Sequence, residues 1–218
     1  MKKIALIAAL AATQVAFADA TVDTISNPVA LSAAFKDPKA VLEMANAVTE
    51  PGFYIAAANA SMEPATYTKG INASMDPALF TNAVSYSDPA VAAKWMAAAM
   101  DPNFYTAFMV KMADPAKMMR WMTASMDMKS YQPAINAMNP ALYTKWMGAS
   151  MDMKNYEGFF KLADVNTYGK YAAVAADPKT YGTWGSFADP KTYGDMSAAF
   201  NPMNFFQFPA VVAPAAAK

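Results

Sequence analysis

The chain has 218 residues, of which 56% are hydrophobic, with 17 basic side chains, 17 acidic side chains, no His and no Cys. This composition excludes disulfide bonds, histidine-based acid–base catalysis and the familiar zinc and haem ligands. The balanced charge excludes nucleic-acid binding driven by a large net positive charge.

The first 20 residues have the pattern of a secretory signal peptide. Lys2 and Lys3 precede an apolar run from Ile4 to Val15, and two small-x-small sites follow at 16–18 and 18–20. The run is too short to cross a membrane comfortably, which disfavours the alternative of a membrane anchor. We therefore predict a cleaved bacterial signal at 1–20 and a periplasmic or extracellular location.

A helical repeat domain is predicted over 21–205, built from units of 12–13 residues that start with Asp, Asn or Glu. Pro follows in twelve of the fifteen units. Asp and Asn cap helix N-termini, and Pro fits the first helical position while keeping the residue before it out of the preceding helix. The predicted caps are Asn27, Asp37, Glu50, Glu63, Asp76, Asp88, Asp101, Asp114, Asp127, Asn139, Asp152, Asp164, Asp177, Asp189 and Asn201.

Apolar residues recur at fixed positions of each unit. With the cap as position zero, position four is usually aromatic, position seven holds every Trp, position eight is often Met or Ile, and Met often precedes the next cap. On a helix these positions form one stripe about 100° wide. We predict that the stripe is the repeat core, with a surface offered to an apolar partner as the alternative. The predicted core aromatics are Trp95, Trp121, Trp146, Trp184, Tyr143 and Tyr168.

Alternate units resemble each other more than adjacent units do. Residues 94–100, 120–126 and 145–151 are near copies, spaced by 26 and then 25 residues. This period predicts an all-α fold in which helix pairs of about 25 residues stack as an α-solenoid. The alternative is one kinked belt of short helices that lies on an apolar surface. The Ala- and Pro-rich residues 206–218 are predicted to form a C-terminal tail.

A basic residue occupies position six of alternate units, on the side of the helix opposite the stripe. Such a ladder could dock on anionic head groups, or it could simply keep the protein soluble. The predicted ladder is Lys69, Lys94, Arg120, Lys145 and Lys170.

The 19 methionines suggest two interpretations, of which we favour the first. Met fills irregular apolar space beside aromatic rings, whereas thioethers are also soft ligands for Cu(I). We predict no metal and no cofactor, and keep Cu(I) handling as an alternative. Because the acidic residues already serve as caps and Ser125 and Ser150 have no identifiable base, we expect no catalytic residues and no enzyme activity.

These observations predict a structural or interaction role. We expect an exported scaffold or coat on a hydrophobic surface or inclusion, such as the envelope of a periplasmic sulfur globule. Self-association and contact with a membrane surface fit the same pattern, and nucleic-acid binding does not. The alternative function is a solenoid groove that binds a peptide or an apolar ligand.

Overall fold

The computed structural model describes residues 18–199, without the side chains of Asp195, Met196, Ala198 and Ala199. Within this range the chain is helical almost throughout and has no strand, so the predicted all-α repeat is confirmed. Helical residues 18–25, here α1, run across the predicted boundary at residue 20. The rest of the predicted signal, the last predicted cap and the predicted tail lie outside the described residues.

Short helices follow α1 in close succession, and two 3₁₀ segments, η1 and η2, interrupt them. The elements are α2 (Pro28–Ala34), α3 (Pro38–Ala47), α4 (Pro51–Ser61), α5 (Pro64–Ser74), α6 (Ala78–Ser85), α7 (Pro89–Met100), α8 (Pro102–Met112), α9 (Pro115–Met126), α10 (Met128–Ala137), α11 (Pro140–Met151), η1 (Met153–Tyr156), α12 (Glu157–Ala163), α13 (Val165–Ala176), η2 (Pro178–Ala188) and α14 (Pro190–Ala199).

The predicted caps set the helix starts. Asp101 is typical, because its Oδ1 accepts a hydrogen bond from the backbone N–H of Asn103 at 2.8 Å and Pro102 is the first helical residue. Two segments differ from the regular unit. Helix α10 contains Pro133, a proline that does not follow a cap. The segment η2 is an unusually long 3₁₀ helix, and its two glycines favour the α-helix poorly.

A tyrosine at position four closes the corner between consecutive units. Its hydroxyl donates to the carbonyl two residues before the cap of its own unit, and that carbonyl lies in the last turn of the preceding helix. Helix ends leave such carbonyls without an intrahelical partner, so the tyrosine satisfies one wherever this bond forms. Six residues, with O···O distances from 2.6 to 3.3 Å, share the bond: Tyr67, Tyr105, Tyr131, Tyr156, Tyr168 and Tyr193.

Long-range contacts wind the chain into a widening spiral. The sequence separation between hydrogen-bonded partners is 53 residues for Val29 and Asn82, and it rises to 98 residues for Asp88 and Ser186. Accordingly, α8–α14, the outer turn, packs along α2–α7, the inner turns. The predicted stacking of consecutive pairs as an α-solenoid is not confirmed, because most of these contacts join units that are far apart in the sequence.

The tryptophan at position seven links one turn to the next. The indole N–H of Trp121 donates to the carbonyl of Thr49 at 3.0 Å, and that of Trp146 donates to the carbonyl of Met62 at 3.1 Å. Trp95 makes the same bond to the Phe35 carbonyl at 3.0 Å. In each case the acceptor lies one or two residues before a cap, so the indole satisfies a helix end of the neighbouring turn.

The buried core is small because each short helix meets its neighbours over a limited area. Ala18, Val22 and Ala56 form its innermost cluster, where α1 packs on α4. Among the described residues no large side chain is fully buried. Helices of this length are not stable alone, so the contacts between turns carry much of the fold.

The corner bonds predict unequal effects of removing tyrosine hydroxyls. Tyr131→Phe should lower the free energy of unfolding by about 0.5–1 kcal/mol, because it leaves the Ser125 carbonyl without its donor. Tyr143→Phe is the matched control, since Tyr143 occupies the same position and its hydroxyl donates no hydrogen bond within the described structure. Urea unfolding measures both variants, and equal losses would contradict the role of the hydroxyl.

Candidate functional site

Exposed apolar stripes recur on three consecutive helices, α9, α10 and α11. Each helix presents position four, position eight and the residue before the next cap. We call these nine residues, which are 49–82% exposed, the stripe surface: Met118, Met122, Met126, Tyr131, Ile135, Met138, Tyr143, Met147 and Met151.

The same repeat position is covered in the inner turns and uncovered in the outer turn. Met62, Met75 and Met100 precede caps of the inner turns and are half-buried. Met126 and Met138 precede caps of the outer turn and are 79% and 82% exposed. The difference arises from position in the spiral, because the outer turn packs along the inner turns while its own stripes have no described helix over them.

The predicted core aromatics do not form a buried core. Trp95 is half-buried, and the other five are exposed. The spiral provides the reason, since indoles face the edge of a neighbouring turn instead of a closed interior. Trp121 also contacts the ring of Tyr54, with ring centroids 5.3 Å apart. Within residues 18–199, Trp184, Tyr143 and Tyr168 make no such hydrogen bond or ring contact between turns.

The predicted basic ladder is divided by the spiral. Arg120 and Lys145 lie at the contact between turns, where they pair with Glu50 and Glu63. Lys69, Lys94 and Lys170 are exposed and make no ion pair within residues 18–199. The five residues therefore do not form one continuous free row of positive charge.

Glutamate caps explain this division. Glu50 and Glu63 make no side-chain bond to their own helix ends, unlike the Asp caps. Glu50 instead accepts two hydrogen bonds from Arg120, from Nε and Nη2, each at 2.7 Å. These bonds raise the pKa of Arg120 above its ordinary value. Sequence reasoning missed this contact, although a Glu where the repeat prefers Asp or Asn was a signal for it.

Asp114 completes the group around Arg120. It caps α9 by accepting from the Ala116 N–H at 2.9 Å, and its other oxygen accepts from Arg120 Nη2 at 3.1 Å. The backbone bond, followed by the Arg120 bond, lowers the pKa of Asp114. Nearby, Lys117 is 6% exposed and donates to the Thr49 hydroxyl.

An apolar groove of about 580 Å³ lies between α4, α9 and α10. Tyr54, Trp121, Tyr131 and Pro133 line part of it. The Trp121 N–H and the Tyr131 hydroxyl are already bonded to backbone carbonyls. The groove therefore offers apolar surface with few free polar groups to orient a ligand.

Two further classes of site are absent from residues 18–199. The sequence has no His and no Cys. Within this range the Asp and Glu residues form no group of three or more that could hold a metal ion. No helix of this part of the chain is long and apolar enough to cross a membrane.

Comparison with known proteins finds no matching family model, no similar curated protein and no similar solved structure.

The charge on Asp114 predicts a pH-dependent contribution to stability. Because its pKa is lowered in the folded state, ionised Asp114 stabilises the fold above its ordinary pKa of 3.8. That contribution is lost as the pH falls below 3.8 and through the lower folded value. Asp114→Asn keeps an oxygen to cap α9 but removes the charge, so it should cost at most about 1 kcal/mol at neutral pH and less at pH values near 3.

Asp127→Asn is the control for this prediction. Asp127 caps α10 through the Lys129 N–H at 2.9 Å and makes no ion pair within the described part of the chain. Urea unfolding at both pH values measures the two variants. Equal losses, or a loss from Asp114→Asn that does not shrink in acid, would contradict the assignment.

Proposed function

We propose that this protein is an exported, non-catalytic coat that adsorbs to an apolar surface or inclusion through the stripe surface. The observation that carries the proposal is the exposure of the stripes on α9–α11, whose methionines before the next cap are 74–82% exposed, whereas Met62, Met75 and Met100 at the same position of the inner turns are half-buried. Large exposed apolar surfaces of this kind are typical of interaction sites.

The chemistry of the stripe surface favours an apolar phase as the partner. Six of its nine residues are Met, whose flexible and polarisable side chain adapts to irregular surfaces. An apolar phase offers no hydrogen-bonding pattern to match, so this adaptability suits it better than fixed polar contacts would. Burial of one whole Met side chain contributes about 1.5–3 kcal/mol, and several of them together give stable adsorption.

Short helices joined by corners also suit a curved or irregular surface. Each unit presents one apolar side, and the corner between units sets the direction of the next. This is the physical basis of amphipathic helices that lie on an interface without crossing it. The envelope of an elemental sulfur globule in the periplasm is the specific version that we propose, because sulfur is an apolar, polarisable phase outside the cytoplasm.

Flotation on a hexadecane-in-buffer emulsion tests the coat. Wild-type protein should partition to the droplets, and the triple variant Met126→Gln, Met138→Gln, Met151→Gln should partition at least about tenfold less, since three exposed apolar contacts are lost. The matched variant Met126→Leu, Met138→Leu, Met151→Leu keeps the apolar area and should partition like the wild type.

Two outcomes would contradict adsorption through the stripe surface. One is unchanged flotation of the Gln variant. The other is loss of flotation from Lys69→Ser, Lys94→Ser, Lys170→Ser, which leaves the stripe intact and removes only exposed positive charge. Circular dichroism of each variant confirms that it remains helical, so that a folding defect is not mistaken for lost adsorption.

A second candidate function is binding of an apolar ligand, which the groove between α4, α9 and α10 favours. Its aromatic lining is the feature expected of such a site. The emulsion assay separates the candidates, because Tyr54→Ala alters the groove and leaves the stripe surface unchanged. Loss of hexadecane uptake by Tyr54→Ala, with normal uptake by the Gln variant, would favour the groove over the coat.

A further inference from the structure

Helix α9 has Met at both positions four and five, where α10 and α11 have a tyrosine followed by Gln132 or Thr144. Met119 occupies position five, and with Met122 at position eight and Met126 at the end of the helix it spans an arc of about 60° on one side. The three side chains line one shallow depression of about 390 Å³, together with Thr123 and Asp127.

We propose that this depression is a Cu(I) site formed by the thioether sulfurs of Met119, Met122 and Met126. Thioethers are soft ligands that select Cu(I) over hard cations. The chain has no His and no Cys, so no stronger copper ligand of those types competes for the ion. Thioethers also carry no titratable proton, which makes the site insensitive to moderate acid.

The geometry of α9 allows the three sulfurs to meet. The Cα atoms of Met119 and Met126 are separated by about 10.5 Å of helix rise, with Met122 between them. A Met side chain has three rotatable bonds, so the outer two can turn toward the middle one. All three are exposed, so turning them disrupts no buried packing.

One acidic side chain lies beside the depression, where negative charge favours a cation. Asp127 lines it, although its Oδ1 is engaged in capping α10. The carboxylate therefore acts on the cation through its negative charge and does not coordinate it. The basic residues nearest in the sequence are Lys117, which is buried and donates to the Thr49 hydroxyl, Arg120, which is paired with Glu50 and Asp114, and Lys129.

Helix α11 provides an internal comparison. Its residues at the corresponding positions are Thr144, Met147 and Met151, so at these three positions it has one thioether fewer than α9. The Thr144 hydroxyl donates only to the Pro140 carbonyl of its own helix at 3.3 Å, so replacing it disturbs no contact between helices. The chain therefore contains a two-thioether control for its own three-thioether site.

Anaerobic titration of the full chain with Cu(I), in competition with bicinchoninate, tests the proposal. Wild type should bind one Cu(I), and Met122→Leu should weaken that binding at least tenfold because one of three ligands is lost. Met147→Leu should bind like the wild type. Thr144→Met should raise the stoichiometry to two, and the wild-type affinity should be the same at pH 7 and pH 5.

Full affinity in Met122→Leu, or an equal loss in Met147→Leu, would overturn the site. Loss of adsorption to hexadecane would be a separate result, because Met122→Leu keeps an apolar side chain at this position. Met122→Leu should float on hexadecane like the wild type whether or not it binds copper. Sulfur-only coordination of the bound ion in X-ray absorption would identify the thioethers as the ligands.

Discussion

The structure depends on one constraint, which is that an acidic or amide cap followed by Pro ends a helix about every 12–13 residues. Each interruption leaves backbone carbonyls at the end of the preceding helix without intrahelical partners. Two kinds of aromatic donor satisfy some of them. The position-four tyrosine bonds a carbonyl across its own corner, as Tyr131 does at 2.6 Å, and the position-seven tryptophan bonds one across turns, as Trp121 does at 3.0 Å. The same dipeptide thus creates the corner, the need for a donor and the place where turns attach.

Because the turns attach along their edges, the repeat is not equivalent throughout the chain. Inner units are packed against the outer turn, whereas α9–α11 expose the methionine before the next cap, a position that the inner units half-bury. The buried apolar core is limited mainly to alanines, with Val22 and Leu42 as its larger members. Because the described residues bury so little apolar surface, burial offsets only a small part of the entropy that is lost when the backbone is ordered. An apolar partner on the stripe surface would add the missing burial, which links the fold to the proposed coat.

Much of this fold could be predicted from the sequence, because its signals are local. Asp101-Pro102 predicts where α8 starts, and the position-four and position-seven aromatics follow from spacing alone. The spiral could not be predicted, because the period of about 25 residues is compatible with several ways of stacking units. Its register is set by pairs such as Glu50 with Arg120, which are 70 residues apart. The exposure of Trp121 and Met126 followed from that register, so interpreting the stripe as a core failed for a tertiary reason and not a local one.

Zero-length carbodiimide cross-linking of the unmodified chain tests the spiral most directly, because it joins only a lysine and a carboxylate in contact. Lys111 Nζ lies 2.7 Å from Glu43 Oε1, and Lys145 pairs with Glu63. The spiral predicts that mass spectrometry of the digested monomer identifies Glu43–Lys111 and Glu63–Lys145 links between turns. Recovery of only local links, such as Glu157–Lys161, would contradict the spiral and the distinction between covered and uncovered stripes that follows from it.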